Sequence, residues 1–248
     1  MSNKETHFGN KSVPVDEKKG LVKEVFDSVA GRYDLMNDLM SLGTHRLWKR
    51  FVLSKTGLKP GQKAIDVAGG TADLAIGMAR QVGETGKVTV FDINREMIKL
   101  GKEKCIDQGL LKSVVYTQGD AEAIPFADSS FHVATIGFGI RNVTRIDEAL
   151  KEMARVVKPG GKVICLEFSQ PRGEAFRKLY DLYSFKILPA IGEIVTNDRA
   201  SYVYLAESIR KFPDQNEFKQ MMETAGLFKV RYHNLSNGIA ALHVGYKV

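Results

Sequence analysis

The sequence predicts an α/β fold: a seven-stranded, mostly parallel sheet with an antiparallel C-terminal hairpin. Three observations carry that expectation. From residue 62 onward, short apolar runs alternate with stretches of helical period. KAIDVAGG, KVTVFD, SVVYTQGD, HVATIGF and GKVICLEF read as five strands, and strands alternating with helices imply a parallel sheet covered on both faces. Residues 226–248 form two β-rich runs around Ser236-Asn237-Gly238, and an Asn-Gly turn between such runs signals a hairpin. Residues 171–225 separate the fifth strand from that hairpin, too many for a plain crossover, so they must hold structure of their own.

The 248 residues suit one α/β domain, 1–248. Within it, residues 1–60 read as an N-terminal helical cap. Leu21, Val22, Val25, Phe26 and Val29 lie at helical spacing there. The segment RYDLMNDLMSLGTHRLW, 32–48, then gathers the chain's single tryptophan, a histidine, two methionines and a Tyr-Asp pair. It either extends the apolar stripe or folds as a lid over a site formed further on. A helix after His45 sets Arg46, Lys49 and Arg50 beside Leu47, Trp48, Phe51 and Val52. Such a face fits an anionic membrane, or equally a core helix with a solvated side. Residues 61–170 form the core of the sheet, where Ile146, Ala149, Leu150, Met153, Val156 and Val157 share one helical face that KPGG stops. Residues 171–212, with LYDLYSFKILPAIG and SYVYLAESIRKFP, read as an inserted helical lid on the substrate side. Residues 213–248 supply the last helix, with Phe218, Met221, Met222 and Ala225 inward, and the hairpin.

Composition excludes some classes. No apolar run approaches the roughly 20 residues needed to span a bilayer, so any membrane contact is peripheral. The start of the chain lacks the apolar stretch of a signal peptide. Cys105 and Cys165 have no metal-type spacing and read as small buried hydrophobes in a reducing, cytoplasmic compartment. No HExxH motif or Cys/His cluster marks a metal site. The net charge of +7 suits an RNA, an anionic membrane or plain solubility.

AIDVAGGTADLA, 64–75, places Asp66 at a strand end, then Gly69, Gly70 and Thr71, then a helix. In a doubly wound sheet ligands bind there, although a tight strand-to-helix turn would use the same residues. The pattern is not GxGxxG, since Ala68 and Ala72 stand where glycine is expected. Asp92 closes the second strand, where a carboxylate can accept both hydroxyls of a ribose. Asp120, followed by Ala121, closes the third and could accept from an adenine amine. Three successive acids would repel a pyrophosphate and suit a nucleoside carrying a cationic centre, which fits S-adenosylmethionine (SAM).

With these residues, DVAGGTADLA, FDIN, GDAEAIPF and ARVVKPGGKVICLEFS resemble the successive motifs of the Rossmann-like class I methyltransferases. YDLMNDLMSLGTHRLW and FGIRNVTRIDEALKEMARVVKPGGKVICLEFSQP resemble two signatures of the C-methyltransferases of menaquinone and ubiquinone biosynthesis, and the likeness runs from about residue 18 to the C-terminus. The resemblance implies a SAM cofactor held by Thr71, Asp92, Asp120 and Ala121, and an opening segment folded over it. Relatives often carry serine where this chain has Gly137, so only backbone could serve at that point. The implied reaction converts demethylmenaquinol to menaquinol. The 2-polyprenyl-6-methoxy-1,4-benzoquinol precursor of ubiquinone is a second acceptor, and the polyprenylated substrate brings peripheral contact at the inner face of the cytoplasmic membrane.

Methyl transfer to carbon needs alignment, a donor or cation at the ring oxygen, and dry walls. Arg141 and Asn142, after the fourth strand, are placed for the oxygen, with simple pairing to an acid as the alternative for Arg141. Tyr33 and His45 are further catalytic candidates, His45 as a proton acceptor or else capping or packing a helix. Tyr180, Tyr183, Phe185, Tyr202 and Tyr204 could line a groove for a prenyl tail. Other readings are a methyltransferase of another small or lipid acceptor, an RNA methyltransferase, and a non-catalytic cofactor-binding scaffold. Against RNA, GFGIRN is no Asn/Asp-Pro-Pro-Tyr motif and no RNA-binding module is appended, so no nucleic-acid partner is expected. A homodimer is one of the assembly states left open.

Overall fold

The computed structural model describes residues 5–29, 37–39, 41, 43–196 and 198–248. The chain opens with a hairpin that the sequence reading did not foresee, β1 (Glu5–Phe8) and β2 (Lys11–Pro14). Gly9, at φ 58°, makes its two-residue turn, and the hairpin is anchored by Phe8 stacked on Tyr204 at 4.2 Å and by the Asn10 amide donating to Glu207. Helix α1 (Val15–Val29) follows, then α2 (His45–Thr56), which Gly57 ends in the left-handed conformation at φ 63°.

The apolar runs then become the centre of one sheet: β3 (Lys63–Val67), α3 (Asp73–Val82), β4 (Lys87–Asp92), α4 (Arg95–Asp107), β5 (Val114–Gln118), β6 (Phe131–Gly137), α5 (Ile146–Val156) and β7 (Val157–Phe168). Asn94 caps α4, accepting from the amides of Glu96 and Met97. The insertion after β7 holds α6 (Glu174–Leu182), a π-helical turn (Tyr183–Ile187), α7 (Leu188–Thr196) and α8 (Arg199–Lys211). Helix α9 (Gln215–Thr224), opened by an Asp214/Glu217 capping box, leads to β8 (Phe228–Leu235) and β9 (Ala240–Tyr246).

Strand order is β5-β4-β3-β6-β7-β9-β8. Strands β3 to β7 are parallel, β9 runs antiparallel to β7, and β8 antiparallel to β9. The chain order reverses between β3 and β6, which opens a crevice at their carboxyl ends. One apolar cluster lies under Trp48, Met78 and Leu242, and another holds Phe91, Leu150, Met153 and Phe218. Both cysteines are buried and free.

Local departures from expectation have physical causes. KPGG does end helix α5, yet β7 already starts at Val157, because Val157 pairs with Phe131 before a bulge re-registers Lys162 on Val133. The Asn-Gly turn is a four-residue loop in which Ser236, Asn237 and Gly238 all have positive φ. It is widened because Ser236 accepts from the Trp48 indole at 3.1 Å, and a Cβ on Gly238 would sit 2.9 Å from the Gln170 carbonyl. Helix α2 does not offer its apolar face to a membrane: Trp48 and Val52 are buried, Phe51 packs edge-on to His233, and Lys49 is tied to Asp73 at 2.6 Å. Among the described residues no helix is long and apolar enough to cross a bilayer.

Candidate functional site

The turn from β3 to α3 is bent by three left-handed residues. Ala68 has φ 49°, Gly70 48° and Ala72 66°, so the two alanines do occupy glycine-like conformations. Each costs of order 1 kcal/mol or more, strain of the kind that clusters at functional sites. The opposite lip repeats the pattern. Phe138, after β6, has φ 59°, and a Cβ on Gly139 would lie 2.6 Å from that of Ala68, so the two loops touch only because residue 139 is glycine.

Between these lips and α1 lies a cleft of about 790 Å³. Ala68, Gly70, Phe91, Asp92, Asn94 and Met97 form one side and Gly119, Asp120, Ala121 and Glu122 the far end. Phe138, Gly139, Asn142, Val143 and Thr144 form the other side, with Lys19, Val22, Lys23 and Phe26 of α1 as a roof. Asp92 is fixed by two backbone amides, Gly70 N to Oδ2 and Asn94 N to Oδ1, each at 2.8 Å. Burial pushes its carboxyl up to about 6, against the pull of those amides. The roof is fastened at both ends, by Lys19 to Asp120 at 2.5 Å and Glu122 at 3.4 Å, and by Asn94 Nδ2 to Asp27 at 2.8 Å. Both lysines of the roof are already paired, Lys23 with Asp27, so among the described residues the cleft offers three carboxylates and no unpaired cation. A phosphate is unsuited to that lining, whereas ribose and amine donors and a cationic centre match it.

A family model for the ubiE/COQ5 methyltransferase family matches residues 12–247. The chain belongs to that family. It is 54% identical over 246 residues to the ubiquinone/menaquinone biosynthesis C-methyltransferase UbiE of Shewanella pealeana, covering 99% of this chain and 98% of that protein. Against the enzyme of the same name from Shewanella sp. strain ANA-3 the identity is 55%, covering 98% and 97%. Among solved structures, a SAM-dependent methyltransferase from Aquifex aeolicus superposes with a TM-score of 0.60 at 20% identity, covering 87% of this chain and 98% of that one, a likeness of fold. This ubiE/COQ5 member is therefore a class I, SAM-dependent methyltransferase, and the acid-lined cleft beneath α1 fits its cofactor.

Of the expected cofactor residues, Gly70, Asp92, Asp120 and Ala121 line the cleft, as does the catalytic candidate Asn142. Asp66, Gly69, Thr71 and Gly137 do not. Asp66 is buried behind the turn and accepts from Thr135 Oγ1 at 2.6 Å, and burial drives its carboxyl up to about 7. A side chain at Gly137 would come 2.9 Å from Leu74, so glycine there serves packing. Arg141 departs from the expected exposure to the crevice. Its Nη1 donates to Glu167 at 2.6 Å and to the Phe138 carbonyl at 2.7 Å, leaving its buried Nε–H without a partner among the described residues. Burial raises the Glu167 carboxyl while the Arg141 charge and two amides pull it back.

Asn142 is held from α8. Tyr204 donates to its Oδ1 at 2.9 Å, and the buried Nδ2 has no partner among the described residues. His45 sits away from the cleft, with Nδ1 2.9 Å from Ser41 Oγ and 3.5 Å from Asp38. Ser41 also accepts from the His45 amide, and His45 is buried at the start of α2, which is the packing alternative. Burial, then Lys49, lowers the His45 pKa. Tyr33 lies outside the described residues. Trp48, at the other end of the supposed lid segment, packs in the core between Phe138 and Phe168. Sequence reasoning missed Lys19, Phe26 and Glu167. The last had a readable signal, a glutamate in the apolar run ICLEF.

Proposed function

We propose that this chain methylates a ring carbon of polyprenylated quinols, converting demethylmenaquinol to menaquinol and methylating 2-polyprenyl-6-methoxy-1,4-benzoquinol. The observation that carries the acceptor is the 54% identity, over nearly the whole chain, to UbiE. When bound, SAM supplies a methyl group made electrophilic by its sulfonium. Asp92 accepts the ribose hydroxyls, Asp120 and the Ala121 backbone receive the adenine edge, and Gly70 allows the close approach. The quinol carbon becomes nucleophilic as its neighbouring hydroxyl gives up a proton. Asn142 Nδ2, a buried donor on the cleft wall without a partner among the described residues, stabilises the resulting oxyanion, and Arg141 lends its charge from behind the Phe138–Gly139 lip. Phe138, on the cleft wall and backed by Phe168 and Trp48 of the core, keeps the ring's surroundings dry.

The test is transfer of labelled methyl from SAM to reduced demethylmenaquinol and to the demethylated benzoquinol in detergent, with mass spectrometry of the products. Methylation of both rings is expected. Transfer to neither, with SAM binding intact, would move the assignment to another acceptor.

A further inference from the structure

We propose that the outer face of the lid, from Arg177 to Ile187, docks this protein on an anionic lipid surface. Along this stretch the chain is sharply two-sided. Tyr180, Ser184 and Leu188 are buried, while Arg177, Lys178, Leu182, Phe185, Lys186 and Ile187 face outward. Residues 177, 178, 182, 185 and 186 recur at helical spacing on one stripe. The π-helical turn Tyr183–Ile187 turns three successive residues, 185 to 187, to the exposed side, which an ordinary α-helical turn would not do.

The apolar members are conspicuous. Leu182, Phe185 and Ile187 are 47%, 39% and 45% exposed, three large hydrophobic side chains within six residues. A monomer normally has such side chains singly. The charges beside them that have no ion pair among the described residues are of one sign. Lys178 pairs with Glu174 at 2.8 Å, and Asp181 is held by Arg210, whereas no ion pair ties down Arg177 or Lys186 among the described residues. Exposed aliphatic and aromatic side chains interleaved with basic ones suit the headgroup boundary of an anionic bilayer. There the apolar groups enter and the cations meet lipid phosphates.

The inner side of the same lid points to the reaction. Tyr183 donates to the Leu39 carbonyl at 2.5 Å, and α8, packed beside α7, carries the Tyr204 that holds Asn142. Docking by the outer face therefore sets the acceptor side of the site next to the bilayer. The choice of a lipid surface as occupant draws on the polyprenyl-quinol reading, but vesicle binding itself is measured without turnover.

Co-sedimentation with phosphatidylcholine vesicles, with and without phosphatidylglycerol, tests this. The full chain is expected to bind only the anionic vesicles and to be released by salt. Two variants, Leu182→Ser/Ile187→Ser and Arg177→Glu/Lys186→Glu, should each weaken that binding about tenfold or more. Both should keep methyl transfer to a water-soluble short-tailed quinol and lose it to a long-tailed quinol in vesicles. Absence of vesicle binding by the full chain, or binding unchanged in both variants, overturns the proposal, as does a dimer that the apolar variant dissociates while lipid is ignored. Vesicle binding lost in the variants, with no quinol methylated by any form, would support docking and sink the acceptor assignment separately.

Discussion

Asp92 shows how one side chain trades stability for binding. Its carboxyl is raised from 3.8 to about 6 by burial, so its ionised form costs the free fold about 3 kcal/mol above pH 7. Asp92→Asn keeps one acceptor for the two amides that Asp92 now satisfies, and should weaken SAM by about a hundredfold, read by calorimetric titration. A variant that binds SAM as tightly as the native chain would contradict the role. Tyr204 acts through a neighbour. Its hydroxyl fixes the Asn142 amide so that Nδ2 is the free donor. Tyr204→Phe frees that amide to flip, and kcat should fall about tenfold with the KM for SAM within twofold and stability reduced by about 1 kcal/mol. A purely structural tyrosine would lower stability and leave kcat alone.

At the scale of elements, α1 is the working part. It bridges the cleft from Asp120 to Asn94 and, through Ser28, reaches Asp198 on the lid side. The Lys19–Asp120 pair is partly exposed, so it is worth about 1 kcal/mol or less. Lys19→Ala should speed cofactor release about three- to fivefold in stopped flow, with the association rate unchanged. A faster association rate instead would make α1 a barrier rather than a fastener. The helical stripe of α1 was legible in the sequence, but its purpose was not. Val22 and Phe26 look the same in periodicity whether they face a core or a ligand. The five parallel strands and the last hairpin were legible because buried strands are continuous apolar runs bounded by turn residues. The N-terminal hairpin was not, since its strands are four residues each, polar on both faces, and held by the contact of Phe8 with Tyr204 across nearly the whole chain. Arg141 was read to the right loop yet to the wrong surroundings, because its partner Glu167 comes from the next strand and pairing across strands is not written in local spacing.

For the molecule as a whole, the carboxyl edge of the sheet gathers acids that the rest of the fold must carry. Asp66 at about 7 and Asp92 at about 6 both titrate well above the ordinary carboxylate range, and burial is the leading cause for each. The sign follows from linkage. Between pH 4 and 7 the native chain holds protons that the unfolded chain has released, so stability falls as pH rises through that window. The penalty is complete above about 6 for Asp92 and about 7 for Asp66. A ligand whose hydroxyls donate to Asp92 favours the ionised form and so binds more tightly as pH rises. S-adenosylhomocysteine at a hundred times its Kd should add about 2.7 kcal/mol, or a midpoint shift of roughly 5 to 10 °C, at pH 7.5. At a fixed concentration of the same ligand the shift should shrink toward pH 5. The free protein alone should melt at a higher temperature at pH 5 than at pH 7.5, provided its other carboxylates stay ionised, so that ligand and acid compensate in opposite directions. Scanning calorimetry across that range, with and without ligand, reads both slopes. A ligand shift independent of pH would remove Asp92 from the binding step while leaving the free fold's pH dependence to both carboxyls.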